Sequence, residues 1–447
     1  MAINPTAGSP PPSPGHLSNV GSVPDAGSVR TRSRSATPPS PGSERGIASP
    51  DPRDRDHGTM RYPPPLDHRP PSTRHILNLL EQEGTDACVR KLADRLPPDM
   101  DRFDTIGQLL SGQAVESLNS NFWMDSEVLD DGMNRASRAT NAINSGLELE
   151  RLTQCCIAER YSRKYDTSIY LASTAQNKAR FLETLEGHLR RDEPCGFAIS
   201  DYVGNASFDK GGGHSSILAV VPNRDAGTCS MIFSDSIGHK AKDGLGPEYI
   251  DDLIDLCREQ GLDAVWYRTA DGRQTDMCSC HTDALHSLKE LLKNDADVGG
   301  RVPSCNVQRD ISTDGNVYRQ LDRSAAYRMR NILTEHIFTP PPNLLKTAQL
   351  SDYLSHNDYD EDARYAEQKS IGEHRSRHVF ASRRAHDPHD DPSRYSDRSM
   401  FLPAKTLQYA DVALTHLLSR GSENFDAATR EVRARRDLST PAPSDRA

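Results

Sequence analysis

The sequence predicts an α+β protein: a small mixed sheet in the middle third of the chain, helices before and after it, and a disordered N-terminal stretch. Three observations predict this. Short β-prone runs divided by Gly, Asn and Asp turns crowd residues 196–268. Apolar residues recur at helical spacing on either side, and Pro, Ser, Gly, Arg and Asp dominate residues 1–72. Of the 447 residues, 35% are hydrophobic, and mean hydropathy is −0.70. Both values are low for a compact chain of this length, as expected when an unfolded segment is joined to a folded one.

Residues 1–72 hold one aromatic residue, Tyr62, and neither lysine nor cysteine. Such a segment buries too little apolar area to offset its ordering entropy. The tract Arg30-Thr31-Arg32-Ser33-Arg34 reads as a solvated Arg/Ser run. Folded sequence begins near Thr73, where Ile76, Leu77, Leu79 and Leu80 predict a helix over 75–83. A second helix covers 87–96 and is ended by Pro97-Pro98. A helical stretch opens at 122–129, with Asp125 or Ser126 as N-cap. Ser173-Thr174-Ala175-Gln176 has the form of a capping box and predicts a helix over 174–189.

The middle third changes to strands, expected at 196–202, 217–221, 229–233 and 264–268. Ile250, Leu253, Ile254, Leu256 and Cys257 mark an amphipathic helix over 247–260 between the last two. After Cys280, residues Ala284, Leu285, Leu288, Leu291 and Leu292 share one helical face. Further helices are expected at 323–338 and 402–418, and residues 421–447 read as a polar tail. No internal repeat is visible.

Composition excludes some classes of function. No run approaches the ~18 apolar residues of a membrane span, no apolar stretch near the start suggests a Sec-type signal, and Ala2 stands where myristoylation needs glycine. A net charge of −10 gives no case for nucleic-acid binding. Nine cysteines without even spacing, among them Cys155-Cys156 and Cys278-x-Cys280, predict reduced thiols and no metal site.

Three distant segments carry the chemistry. His214 follows Gly211-Gly212-Gly213 and opens an apolar strand; Asp235 closes the next strand; Gln274 lies six residues before Cys280, which starts a helix. A helix N-terminus favours a thiolate, an imidazole at the strand mouth takes its proton, an acid orients that imidazole, and a carboxamide binds a developing oxyanion. Cys278, two positions earlier, competes for the nucleophile's role, and each of the other residues has an ordinary structural reading as well.

With these residues in view, the chain resembles the YopJ family of type III secreted effectors. This is the acetyltransferase branch of a cysteine-protease clan that also contains SUMO and ubiquitin-like-protein proteases. The resemblance rests on the His–acid–Cys order with the Gln-x5-Cys spacing, on the stretch from Pro342 to Gln349 with its Lys-x-x-Gln pattern, and on Ser399-Met400 before the helix at 405–414. It extends over roughly residues 73–419. It implies a cysteine-protease-like core (about 120–295) followed by a mostly helical regulatory region (about 296–420), together one acetyltransferase domain at 73–420. It implies Cys280 as nucleophile, His214 as base, Asp235 as orienting acid and Gln274 as oxyanion donor. Assigning Cys280 over Cys278 rests on the offset from Gln274 and on helix phase.

The resemblance further implies acetyl-CoA as acyl donor, inositol hexakisphosphate as activator and host proteins as substrates, acetylated on Lys or Ser/Thr. Lys346 resembles a family lysine linked to autoacetylation, and Lys346, His374, Arg375 and Arg377 are the candidate activator contacts. Residues 1–72 would then be the export address, and the place of action the host cell, with nuclear entry left open. The rival is a ubiquitin- or SUMO-type cysteine protease, favoured by the segment Phe122-Trp123-Met124-Asp125 and by Ser234-Asp235-Ser236. Against it stands the 167-residue extension beyond Cys280, rich in basic residues such as Arg323, Arg328, Arg330 and His378. A catalytically dead scaffold is the third class, disfavoured because all four site residues are present.

Overall fold

In the computed structural model of the chain, the described residues are 70–110, 147, 149–173, 176–201, 214–236, 247–269, 272–274, 279–293, 307–310, 334–338, 342–351, 353–354, 359–366, 368–379 and 399–439. The expected disordered head up to residue 69, the Trp123 segment, the three glycines before His214 and Cys278 lie outside them. All described residues belong to one unit spanning 61–447.

The sheet is mixed and seven-stranded, with spatial order β1-β2-β3-β4-β5-β7-β6. Its strands are β1 (Ser168–Ser173), β2 (Cys195–Asp201), β3 (His214–Asn223), β4 (Thr228–Asp235), β5 (Asp263–Thr269), β6 (Val307–Asp310) and β7 (Thr334–Phe338). The centre is an antiparallel meander, β2-β3-β4, and the β3–β4 turn closes at Gly227, whose φ is +64°. On each side a strand joins in parallel, β1 on β2 and β5 on β4. Parallel neighbours need a crossover. Here helices α4 (Lys178–Arg191) and α5 (Pro247–Glu259) supply it.

Both faces of the sheet are covered. Ile217, Ala219 and Ile232 point into a core shared with α1 (Thr73–Ala93), α3 (Arg151–Tyr165), α6 (Cys280–Leu292), α9 (Phe401–Leu418) and α10 (Phe425–Arg436). Leu218, Val220, Met231 and Phe233 point into the other core with α4 and α5. Burial on both sides is why β3 reads as an unbroken apolar run and not as an alternation. The remaining elements are α2 (Arg102–Leu109), α7 (Pro342–Leu345), β8 (Arg364–Ala366), β9 (Lys369–Ser370) and α8 (Ile371–Ser376), the last three grouped with α7 around Leu345, Leu354 and Ile371.

The four expected strands and the helices at 247–260, after Cys280 and at 402–418 are present, with ends shifted by up to three residues. Four expectations are corrected. The two helices at 75–96 run together as α1, bent at Gly84 with φ 82°. The capping box is not one: Ser173 ends β1, the helix starts at Lys178, and its N-cap is Asn177. Residues 334–338, expected as helix, are a strand pairing in parallel with β5, because tertiary pairing overrides a short segment's weak propensity. The polar tail holds α10, after which Leu438 donates its backbone N–H to Leu171 on the edge strand β1.

Helix α6 lies close on the sheet at Gly196 of β2, where an added Cβ would come within 2.7 Å of Leu288 Cδ2 and Leu292 Cδ1. Gly196→Val forces those side chains apart and displaces α6, costing about 1–3 kcal/mol by overpacking. A melting temperature equal to that of the unaltered protein would refute this close approach.

Candidate active site

The ladder sets the first two groups. Asp235 is the last residue of β4 and pairs with Ser216, two positions after His214, the first residue of β3. In an antiparallel pair this makes the two a diagonal couple at one end of the sheet. His214 Nε2 and Asp235 Oδ2 lie 2.6 Å apart, with Asp235 buried and the imidazole 21% exposed. Cys280 starts α6, is buried, and hydrogen-bonds the His214 ring. With Nε2 held by the carboxylate, Nδ1 is the ring nitrogen left for the thiol.

Electrostatics follows from this geometry. Burial by itself would strip the proton from His214. Hydrogen bonds to Asp235 and Cys280, together with their charges, outweigh burial and raise the imidazole pKa to about 10. An imidazolium that keeps its proton through the neutral range is the partner a thiolate nucleophile needs. Gln274 is tied to Ser236, the residue after Asp235. Its backbone N–H donates to the carbonyl of Ser236 at 2.9 Å, and the Ser236 hydroxyl donates to Oε1 at 2.5 Å. The side-chain oxygen thereby accepts from Ser236, and the –NH2 is the donor end of the carboxamide.

A second region lies along α3, α6 and α9. A cavity of about 250 Å³ is lined by Arg160, Lys164, Lys289 and Lys405, with Tyr161, Tyr409 and Gln408 among its walls. Among the described residues lining it, none is acidic. Burial, then the neighbouring Lys289 and Lys346, push the Lys405 ammonium down to about 7. Burial likewise lowers Lys289 to about 8, against the attraction of its partner Glu290. Two amines partly robbed of their charge, facing a cationic cavity, form a site short of negative charge.

Of the expected activator contacts, Lys346 and His374 are electrostatic neighbours of Lys405. Lys346 Nζ donates to Glu290 at 2.8 Å. His374 packs tilted against His378 and edge-to-face against Phe401, with ring centroids 4.5 and 4.7 Å away, and burial drives its pKa down to about 2, so it is a neutral ring. Arg375 is buried against Glu361 at 3.4 Å, and Arg377 pairs with Glu373. The cavity's own cations, Arg160, Lys164, Lys289 and Lys405, escaped the sequence reading because they are 245 positions apart at the extremes and no local pattern joins them. Arg273 and Asp283, a buried ion pair beside the site, escaped it too, because Asp283 lies off the apolar face of α6 and reads as a solvated charge.

Asp235→Asn removes the negative charge that holds the His214 proton from one side. The imidazole titration followed by NMR then falls from about 10 toward its usual value near 6.5. A midpoint that stays put would remove Asp235 as the partner of His214.

No family model matches the chain, and no curated protein matches it. Among solved structures, a deletion variant of AvrA with IP6 and CoA is 10% identical, covers 73% of this chain and 98% of its own, and gives a TM-score of 0.39. HopZ1a in complex with IP6 is 9% identical over 77% of this chain and 98% of its own, with a TM-score of 0.41. HopZ1a with IP6 and CoA is 11% identical over 63% and 93%, with a TM-score of 0.40.

Proposed function

We propose that this chain is a thiol-dependent protein acetyltransferase of the type III effector kind, activated by inositol hexakisphosphate. The observation that carries the reading is His214, hydrogen-bonded at once to Asp235 and to Cys280. The Cys280 thiolate attacks the acetyl carbonyl of acetyl-CoA, and the Gln274 –NH2 donates to the oxyanion so formed. The C–S bond to coenzyme A breaks, and His214 gives its proton to the departing thiolate. A Lys amine or Ser/Thr hydroxyl of a host protein then attacks the Cys280 thioester, His214 takes the acceptor's proton, and Cys280 leaves as thiolate. Asp235 holds the ring through both half-reactions.

Arg160, Lys164, Lys289 and Lys405 are the residues that fit the activator, since phosphates make strong charge-assisted bonds with Arg and Lys. When bound, inositol hexakisphosphate supplies the negative charge that the cavity lacks. Residues 1–72 serve as the export address in this reading, supported by their composition.

The test uses purified full-length protein, labelled acetyl-CoA and inositol hexakisphosphate. Label enters protein in the unaltered chain and is lost in Cys280→Ala; incorporation that survives in Cys280→Ala sinks the mechanism. Cleavage of a ubiquitin or SUMO reporter without acetyl transfer would install the protease instead.

Activator binding also changes protonation. At pH 8 Lys405, with its pKa near 7, is largely neutral, and a bound polyanion favours its charged form, so binding takes up a proton. At pH 6 Lys405 is already charged and takes up none. Phosphates titrate in the same range, so the uptake is read by calorimetry as the difference between the unaltered protein and Lys405→Met. A zero difference at pH 8 would remove Lys405 from the site.

A further inference from the structure

We infer that Arg273 is a positioning residue for acyl transfer: its guanidinium, paired with Asp283, holds the Gln274 carboxamide in register with the Cys280 end of α6. The inference rests on the proposed thiol chemistry but not on acetyl-CoA or on the activator. Arg273 Nη2 donates to Asp283 Oδ2 at 2.6 Å and Nε to Oδ1 at 3.4 Å, with both side chains almost wholly buried. Asp283 sits one helical turn after Cys280, and its backbone N–H closes onto Ser279. Nη1 of Arg273 donates to Ser234 Oγ at 3.2 Å, next in chain to Asp235. The backbone N–H groups of Arg273 and Gln274 both donate to Ser236, at 2.6 and 2.9 Å. One guanidinium thus ties together the chain neighbours of the acid, of the oxyanion donor and of the nucleophile.

The same pair reaches outward. Thr347 Oγ1 donates to Asp283 Oδ1 at 2.7 Å, and Thr347 follows Lys346. The Gln349 N–H donates to the Arg273 carbonyl at 2.8 Å, and Gln349 in turn accepts from Ser399, just before α9. A buried pair whose every oxygen is bonded is stiff, and removing one donor leaves the others mispositioned. Stiffness here matters for a carboxamide that must meet an oxyanion within a few tenths of an ångström.

The experiment compares two reagents on Cys280 in the full-length protein, each rate taken as the part abolished by Cys280→Ala. With p-nitrophenyl acetate, the thiolate attacks the ester carbonyl, an oxyanion forms, and p-nitrophenolate leaves as the thioester appears. With iodoacetamide, the sulfur displaces iodide and no oxyanion arises. Gln274→Ala slows the ester reaction about 100-fold, and Arg273→Lys, which keeps the charge and loses the fork, slows it about 10–100-fold. Both leave the iodoacetamide rate within about twofold. The double variant is no slower than Gln274→Ala alone, because the two act through one group.

The assignment falls if Arg273→Lys leaves the ester rate unchanged, slows both reagents alike, or multiplies with Gln274→Ala. It falls also if Cys280 of the unaltered chain reacts with iodoacetamide and ignores the ester. Should Arg273→Lys yield no soluble protein, Thr347→Val carries the same comparison, with an ester rate about 3–10-fold lower expected and an unchanged one overturning it. If this pattern holds while the protein transfers no acetyl from acetyl-CoA, the proposed function fails and the role of Arg273 stands.

Discussion

The pairing of β3 with β4 is the constraint on which the rest depends. Because β3 is buried on both faces, a slip of one residue in its register would exchange Ile217 and Ala219 with Leu218 and Val220, sending each set into the wrong core. The register is therefore held by two hydrophobic cores at once. His214 and Asp235 sit at the end of that ladder, so their meeting is bought by packing tens of ångströms of apolar strand. The short His–Asp contact follows from the register.

Cys280 is delivered by a different device. Helix α6 rests on β2 and β3, and Gly196 permits its close approach. The helix offers Cys280 at its first turn, where unsatisfied N–H groups favour negative charge. Towards its other end Glu290 accepts from Lys289, Lys293 and Lys346. Three ammonium groups on one buried carboxylate hold its pKa down to about 2, although burial works the other way. One acid is too little for them, and Lys405, lowered first by its burial, is lowered further by Lys289 and Lys346.

Much of this was legible in the sequence where local chemistry decides it. The strands at the sheet's centre announce themselves as apolar runs ended by turn residues, and His214, Asp235 and Cys280 stand at element ends beside those runs. Helix α3 did not announce itself: its buried side chains include Thr153, Gln154, Glu159 and Ser162, which break the apolar pattern, and the partners of Thr153 and Glu159 lie elsewhere in the fold. Glu159, for example, is matched by Arg435 and Arg436 from α10. Strand β7 is five residues long and becomes a strand only by pairing with β5 and β6. The cavity's cations were invisible for the same reason; Arg273 and Asp283 are only ten positions apart, but nothing in that window shows that they pair, and Thr347 reaches Asp283 from 64 positions further on.

Cys280 and Lys289, one of the cavity's cations, share one helix. Cys280 and Lys289 are nine residues apart on α6, about 14 Å along its axis at the usual helical rise. A ligand that relieved charge at Lys289 would therefore not touch the thiol, but it would act on the body that carries it. A second link runs beside the helix: Thr282 and Thr406 share a hydrogen bond at 2.6 Å, placing the neighbour of Lys405 against the first turn of α6. In the proposed function, a polyanion held by Lys405 would act on α9, which this bond joins to the turn that begins with Cys280. Coupling of this kind requires only that the same helix be held at both ends, and the contacts of Thr282, Asp283, Lys289 and Glu290 hold it there.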